Sequence, residues 1–212
     1  MYLFSRSTRL AGGNTTEAMA WAVGITEQVN KVTELGVSLY SSVYSPASGT
    51  LVWSAFVPDL ATLEAAGDKL QADDKIIKLG DKGASLTTGG LDDNLSQVLG
   101  GTVDPALDIE YVSVVQAVCA TGKVGRGVEV GIDIAQRVEK ITSTPTIFTL
   151  NTTGTYGGVG WASGHANVRA MEASEAALMA DPTWGEYVDR ETAGVYADEP
   201  SLTTQVIYRR VV

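Results

Sequence analysis

The sequence is poor in the residues that carry redox and metal chemistry. Of its 212 residues, one is cysteine, Cys119, and one is histidine, His165. A single cysteine excludes an intrachain disulfide, and its apolar setting, Val114 to Ala120, suits a buried, inert thiol. A single histidine excludes a His-rich metal centre within one chain, and neither HExxH nor zinc-ribbon spacing occurs. Lys and Arg total 15 against 25 for Asp and Glu, and a net charge of −10 with no basic patch repels phosphate. No nucleic-acid partner is therefore expected. No apolar run approaches the roughly 18 residues that a membrane span needs, so no membrane partner is expected. The opening Met1-Tyr-Leu-Phe-Ser-Arg-Ser7 has no signal-peptide core, because Arg6 and Arg9 interrupt it, and a cytoplasmic location is expected. What is present, 44% hydrophobic and 19% charged residues, suits a globular chain with a sizeable core.

The informative feature is internal duplication. A shift of 109 sets Tyr2 on Tyr111, Ala11 on Ala120 and Gly13 on Gly122, and lays Ile25–Thr33 over Ile134–Thr142. A shift of 105 sets Gly49-Thr50 on Gly154-Thr155 and Phe56 on Trp161. A shift of 108 sets Leu70-Gln-Ala-Asp73 on Leu178-Met-Ala-Asp181, and Gln97-Val-Leu99 on Gln205-Val-Ile207. The matches keep one order along the chain. Split after Asp104, the two parts also carry equal net charge. The repeats are assigned to residues 1–103 and 104–212.

Each copy reads as one pattern. A β-branched and aromatic strand opens it, Tyr2–Leu10 and Ile109–Ala120. A helix follows. In copy one Asn14 with Glu17 forms a capping-box-like start. Ala22, Ile25, Val29, Val32 and Gly36 share one face, as do Val124, Val128, Gly131, Ala135 and Val138 in copy two. A hairpin comes next, Val37–Tyr44 with Leu51–Val57, and Thr146–Leu150 with Tyr156–Ala162. Its turns are Ser45-Pro-Ala-Ser-Gly49 and Asn151-Thr-Thr-Gly154. A second helix spans about Leu60–Lys78 and about Ala166–Asp189, the latter broken at Ala180-Asp181-Pro182. A last strand, Leu95–Leu99 or Thr203–Val211, closes each copy, and Gly100 to Pro105 joins them. The order β-α-β-β-α-β is the ferredoxin-like split βαβ. The expected fold is α+β, two tandem ferredoxin-like repeats whose antiparallel sheets pack face to face, since a single copy leaves one sheet face bare. Exposed edges favour a homo-oligomer.

The doubled order, with Leu178-Met-Ala-Asp-Pro-Thr-Trp184-Gly-Glu-Tyr187 and its shorter echo Leu70-Gln-Ala-Asp-Asp74, resembles the dimeric α+β barrel superfamily in its tandem, single-chain form. The Leu-x-Ala-Asp-Pro step before an aromatic is similar to NIPSNAP-like and antibiotic-biosynthesis-monooxygenase-like members. The resemblance implies a ligand between the sheet and helices of one copy. It implies activities that range from cofactor-independent oxygenation of aromatics to haem chemistry. The oxygenase members' catalytic constellations find no residue-by-residue match in this chain.

Two segments invite a site. Thr121-Gly-Lys-Val-Gly-Arg-Gly127 opens a helix, but the Walker and GxGxxG patterns both fail, and a structural loop is the plainer reading. Gly157-Gly-Val-Gly-Trp-Ala-Ser-Gly-His165 replaces the bulkier Val52–Val57 of copy one. Glycines within a strand mark a bulge or a close approach. They suggest a pocket floored by Gly158 and Gly160 and walled by Trp161, Tyr111 and Trp184. His165 is the candidate proton carrier and catalytic residue. The plainer alternative is tight packing. No metal site and no cofactor is assigned, since Asp73-Asp74 and Asp92-Asp93 read as solvated pairs. Trp21, Trp53, Tyr40 and Phe56 read as core. Three readings stand side by side: a pocket for a small apolar or aromatic molecule, extending to cofactor-independent monooxygenation; a non-catalytic, self-assembling protein; and haem binding through His165.

Overall fold

The computed structural model describes residues 1–212 except Ala47 and Pro105. The first hairpin turn and the joint between the copies each include one of these two, which lie outside the described residues. Among the described residues the fold is α+β with eight strands, and the chain divides into two compact units. One comprises Met1–Leu95 with Arg210–Val212, the other Ser96–Arg209.

The first unit contains β1 (Tyr2–Leu10), α1 (Thr15–Thr33), β2 (Ser38–Val43), β3 (Thr50–Val57), α2 (Leu60–Gln71), α3 (Asp74–Gly83) and the start of β4 (Thr87–Gly100). β3 pairs antiparallel with both β1 and β2, and β4 lies beside β1. There Arg6 binds Asp93 through two hydrogen bonds of 2.7 Å. β3 alternates as a half-buried strand should: Leu51, Trp53, Ala55 and Val57 are buried. Phe56, expected in the core, sits on the opposite face and is 40% exposed. Trp21 and Trp53 meet edge to face with Leu39, Leu51 and Leu86 around them. Asn14 precedes α1 but its side chain makes no capping bond. The single second helix expected here is two helices. Asp73 breaks it by accepting from the Ile76 amide at 2.8 Å, which starts α3.

The second unit contains β5 (Tyr111–Val118), α4 (Val124–Thr142), β6 (Thr146–Asn151), β7 (Gly158–His165), α5 (Val168–Ala180), α6 (Trp184–Thr192) and β8 (Thr204–Arg210, through Arg209), with the end of β4. Its strand order is β8-β5-β7-β6, with Ser96–Gly100 of β4 against β6. Each unit thus repeats one β-α-β-β-α-β order, the ferredoxin-like pattern read from the sequence. The second core gathers Val130, Ile134, Ala135 and Val138 of α4 on Phe148, Val159 and Trp161 of the sheet. Gly131 permits this approach. A Cβ there would overlap the ring of Phe148, which is fully buried.

Strand register corrects one alignment. Trp53 stands opposite Arg6 and Leu39, and Trp161 stands opposite Val115 and Phe148. The two tryptophans therefore hold the same place in the two sheets. The offset that set Phe56 on Trp161, and Trp53 on Gly158, is not the structural one. The Gly-Thr dipeptides that suggested it match by coincidence.

Candidate functional site

Sheet and helices of the second unit enclose a cavity of about 420 Å³. Antiparallel register decides which side chains reach it. Residues directly opposite each other point to one face. Ser113 is opposite Ser163, Val115 opposite Trp161, and Ser163 opposite Thr146. All five line the cavity, as does His165. From the helices come Ile134, Val138, Leu178, Trp184 and Val188.

Of the residues singled out from the sequence, Trp161, Trp184 and His165 lie together on this wall. Gly158 and Gly160 do not line it. In β7 they alternate with Val159 and Trp161, so their Cα hydrogens point to the other face. A Cβ at Gly158 would run into the Asn151 amide, and one at Gly160 would lie 3.1 Å from Thr149 Oγ1. Tyr111 stands opposite His165 in the ladder but is not a lining residue. Arg209, its other ladder partner, lies over its ring at 5.7 Å. The hydroxyls of Ser113, Ser163, Thr146 and Ser174 went unnoticed in the sequence, as did Tyr196 and the carboxylates Glu175 and Asp198.

The polar atoms divide into two classes. Trp161 Nε1 donates to the Gly131 carbonyl at 2.8 Å, and the Tyr196 hydroxyl donates to the Gly127 carbonyl at 2.7 Å. Both rings therefore offer the cavity only apolar surface. Desolvation drives the Tyr196 hydroxyl far above the ordinary tyrosine range, so it stays protonated. Thr146 Oγ1 and Ser163 Oγ share a hydrogen bond of 2.8 Å, and His165 Nε2 shares one of 2.9 Å with Ser113 Oγ. His165 Nδ1 is different. It is buried and has no hydrogen-bond partner among the described residues, although the residue is 4% exposed. A buried polar atom without a partner costs about 1–3 kcal/mol.

Burial also lowers the His165 pKa below its ordinary 6.5, because desolvation penalises imidazolium. The unfolded chain takes up this proton near the ordinary value, the folded chain only at lower pH. Through this group stability is complete above about pH 6.5 and is lost as pH falls toward the folded value. Urea unfolding at stepped pH should therefore show His165→Asn gaining on wild type as the buffer is taken from pH 7 to pH 5. A constant difference between the two would contradict a depressed pKa.

Trp184 is placed by the helix break between α5 and α6. Asp181 accepts from the Thr183 amide at 2.8 Å and its hydroxyl at 2.6 Å, and these bonds hold the Asp181 carboxyl below its usual range. Arg137 lies over the Tyr187 ring at 4.2 Å and donates to Thr183 Oγ1 at 2.5 Å. Trp184 stacks beside Tyr187. The glycine-rich loop before α4 is structural in its contacts. Arg126 is engaged by Glu129 and Glu191, and a Cβ at Gly127 would overlap Cys119 Sγ. Cys119 is buried, and desolvation raises its pKa, so the thiol stays protonated. Among the described residues no helix is long and apolar enough to cross a membrane.

The chain is similar over its full length to solved proteins of this architecture. A candidate monooxygenase from Fusobacterium nucleatum matches with a TM-score of 0.69 at 9% identity, covering 100% of this chain and 92% of that one. The two share a fold, an α+β chain in which the β-α-β-β-α-β order occurs twice. An anthrone oxidase-like protein matches with a TM-score of 0.64 at 14% identity, covering 100% of this chain and 92% of the other. A haem-binding protein from Thermus thermophilus matches at 0.57 and 12% identity, covering 100% and 91%. At such identities the likeness is one of fold. No family model matches the sequence. No curated protein matches it either.

Proposed function

We propose that the second unit binds a small, largely apolar aromatic molecule and oxidises it with dioxygen, without a cofactor, His165 acting as the base. The observation that supports this reading is His165, buried and unpartnered at Nδ1 among the described residues, in the lining of a cavity that also holds Trp161, Trp184 and Tyr196. The reading places the ring proton on Nε2, donated to Ser113, so that Nδ1 presents a lone pair. That nitrogen takes a proton from an activated CH₂ beside a ketone or aromatic ring. The carbanion supplies electrons to dioxygen. One oxygen atom is retained as a new carbonyl, and the other leaves as water with both hydrogens. The balance is R₂CH₂ + O₂ → R₂C=O + H₂O. The Fusobacterium and anthrone oxidase-like neighbours agree with this reading. It keeps 1–103 and 104–212 as the two copies, with chemistry in the second.

Haem suits the lining less well. The cavity's charged residues are Glu175 and Asp198, with no lysine or arginine to meet two propionates, and His165 Nε2 is already bonded to Ser113. The test is dioxygen uptake with 9-anthrone at pH 7. Uptake and anthraquinone formation above the buffer rate, in proportion to protein, are expected. A rate equal to buffer would remove the oxygenase reading.

A further inference from the structure

Resting on that reading, we infer that the ligand class is the protonated arylalkylamine, held with its ammonium at Glu175 and Asp198 and its ring among Trp161, Trp184 and Tyr196. Both residues line the cavity and both are exposed, which puts them where it meets solvent. Neither has an ion-pair partner among the described residues. The lining contains no lysine or arginine, so nothing neutralises this rim from within. An anionic ligand would meet two like charges on entry. A neutral one would leave the carboxylates as they are. A cation gains from both.

The interior adds to this preference. Trp161 and Tyr196 have their polar atoms bonded into the protein, and Trp161 meets Tyr196 edge to face at 5.5 Å. Aromatic faces attract cations and stack on aromatic rings. His165, buried and with Nδ1 unpartnered among the described residues, lines the same cavity and adds a group that can accept a hydrogen bond or a proton. The ligand that meets all of these features is amphiphilic: an ammonium at one end, an aromatic body, and a polar or activated carbon centre at the other.

Three probes with one skeleton test this: 2-naphthylmethylamine, a cation at pH 7; 2-naphthylmethanol, neutral; and 2-naphthoate, an anion. Binding is read by quenching of tryptophan fluorescence at low salt. The amine should bind most tightly and the naphthoate least. Glu175→Gln and Asp198→Asn should each weaken the amine by about two- to fivefold, the size of an exposed charge contact. Each should leave the alcohol unchanged and tighten the naphthoate. Added salt should weaken the amine alone. Alcohol binding equal to or tighter than amine binding would overturn the charge preference while leaving the aromatic pocket standing. An amine affinity indifferent to both substitutions would overturn the placement. Failure of all three to bind would overturn this inference together with the aromatic-pocket reading.

Discussion

His165→Ala is expected to slow dioxygen uptake with 9-anthrone by about a hundredfold or more while the protein stays folded. A positioned base contributes on the order of 10²–10⁴ to a proton-transfer step, and His165 is the chain's sole histidine. Of the other cavity residues, the carboxylates Glu175 and Asp198 are exposed, and the remainder are poor substitutes. The Ser113, Ser163 and Thr146 hydroxyls are weak bases, and Tyr196 is held protonated and donates elsewhere. Stability should move little. The substitution loses packing and the hydrogen bond to Ser113, but it also removes a buried atom that has no partner among the described residues. Circular dichroism and the urea midpoint should therefore stay close to wild type. An active, well-folded His165→Ala protein would take the base out of the mechanism. A protein that unfolds would make the residue structural.

Phe148→Ala is expected to cost about 3–5 kcal/mol, the range for deleting a fully buried aromatic side chain. Phe148 has no exposed surface, and its ring fills the space that Gly131 leaves in α4. It also lies 5.3 Å from the Trp161 ring, centroid to centroid. Trp161 is tied to the same turn of helix through the Gly131 carbonyl. Loss of Phe148 should thus loosen a cavity wall as well as the core. Urea unfolding followed by tryptophan fluorescence measures the first effect, and quenching by 2-naphthylmethanol measures the second. A loss below 1 kcal/mol would mean that the helix collapses onto the vacated space with little penalty.

The element order was legible because each element carries its own period. β3 alternates, α4 repeats its apolar positions every three or four residues, and Asp181-Pro182 stops α5. Other features turned on single hydrogen bonds. The Asp73 cap that divides α2 from α3 is one such bond, and a run of good helix formers conceals it. β4 extends back to Thr87 through two glycines, Gly89 and Gly90, whereas the strand expected from the sequence begins at Leu95. The site was half legible. Trp161 and His165 stood out as rare residue types, and the glycines beside them drew attention to the strand that carries these two lining residues of the cavity. Those glycines point away from the cavity because a strand's period is two. Counting back from His165 by twos reaches Ser163 and Trp161 and passes over Gly160 and Gly158. The same count along β5 reaches Ser113 and Val115. Glu175 and Asp198 carried no such signal, because an exposed carboxylate on a chain of net charge −10 resembles its neighbours until the cavity beside it is known.

The register that aligns Trp53 with Trp161 also aligns the rungs beyond them. Where the second sheet has Ser113 opposite Ser163, the first has Phe4 opposite Ala55, and where the second has His165, the first has Val57. The backbone is repeated but the polar set is not. In a symmetric homodimer every substitution is made twice, so a change that suits one site is imposed on the other. A fused duplicate escapes that constraint. Substitutions in copy one answer to packing, while copy two is free to keep an unsatisfied imidazole and an acidic rim. The scaffold is inherited in pairs, and the chemistry diverges alone.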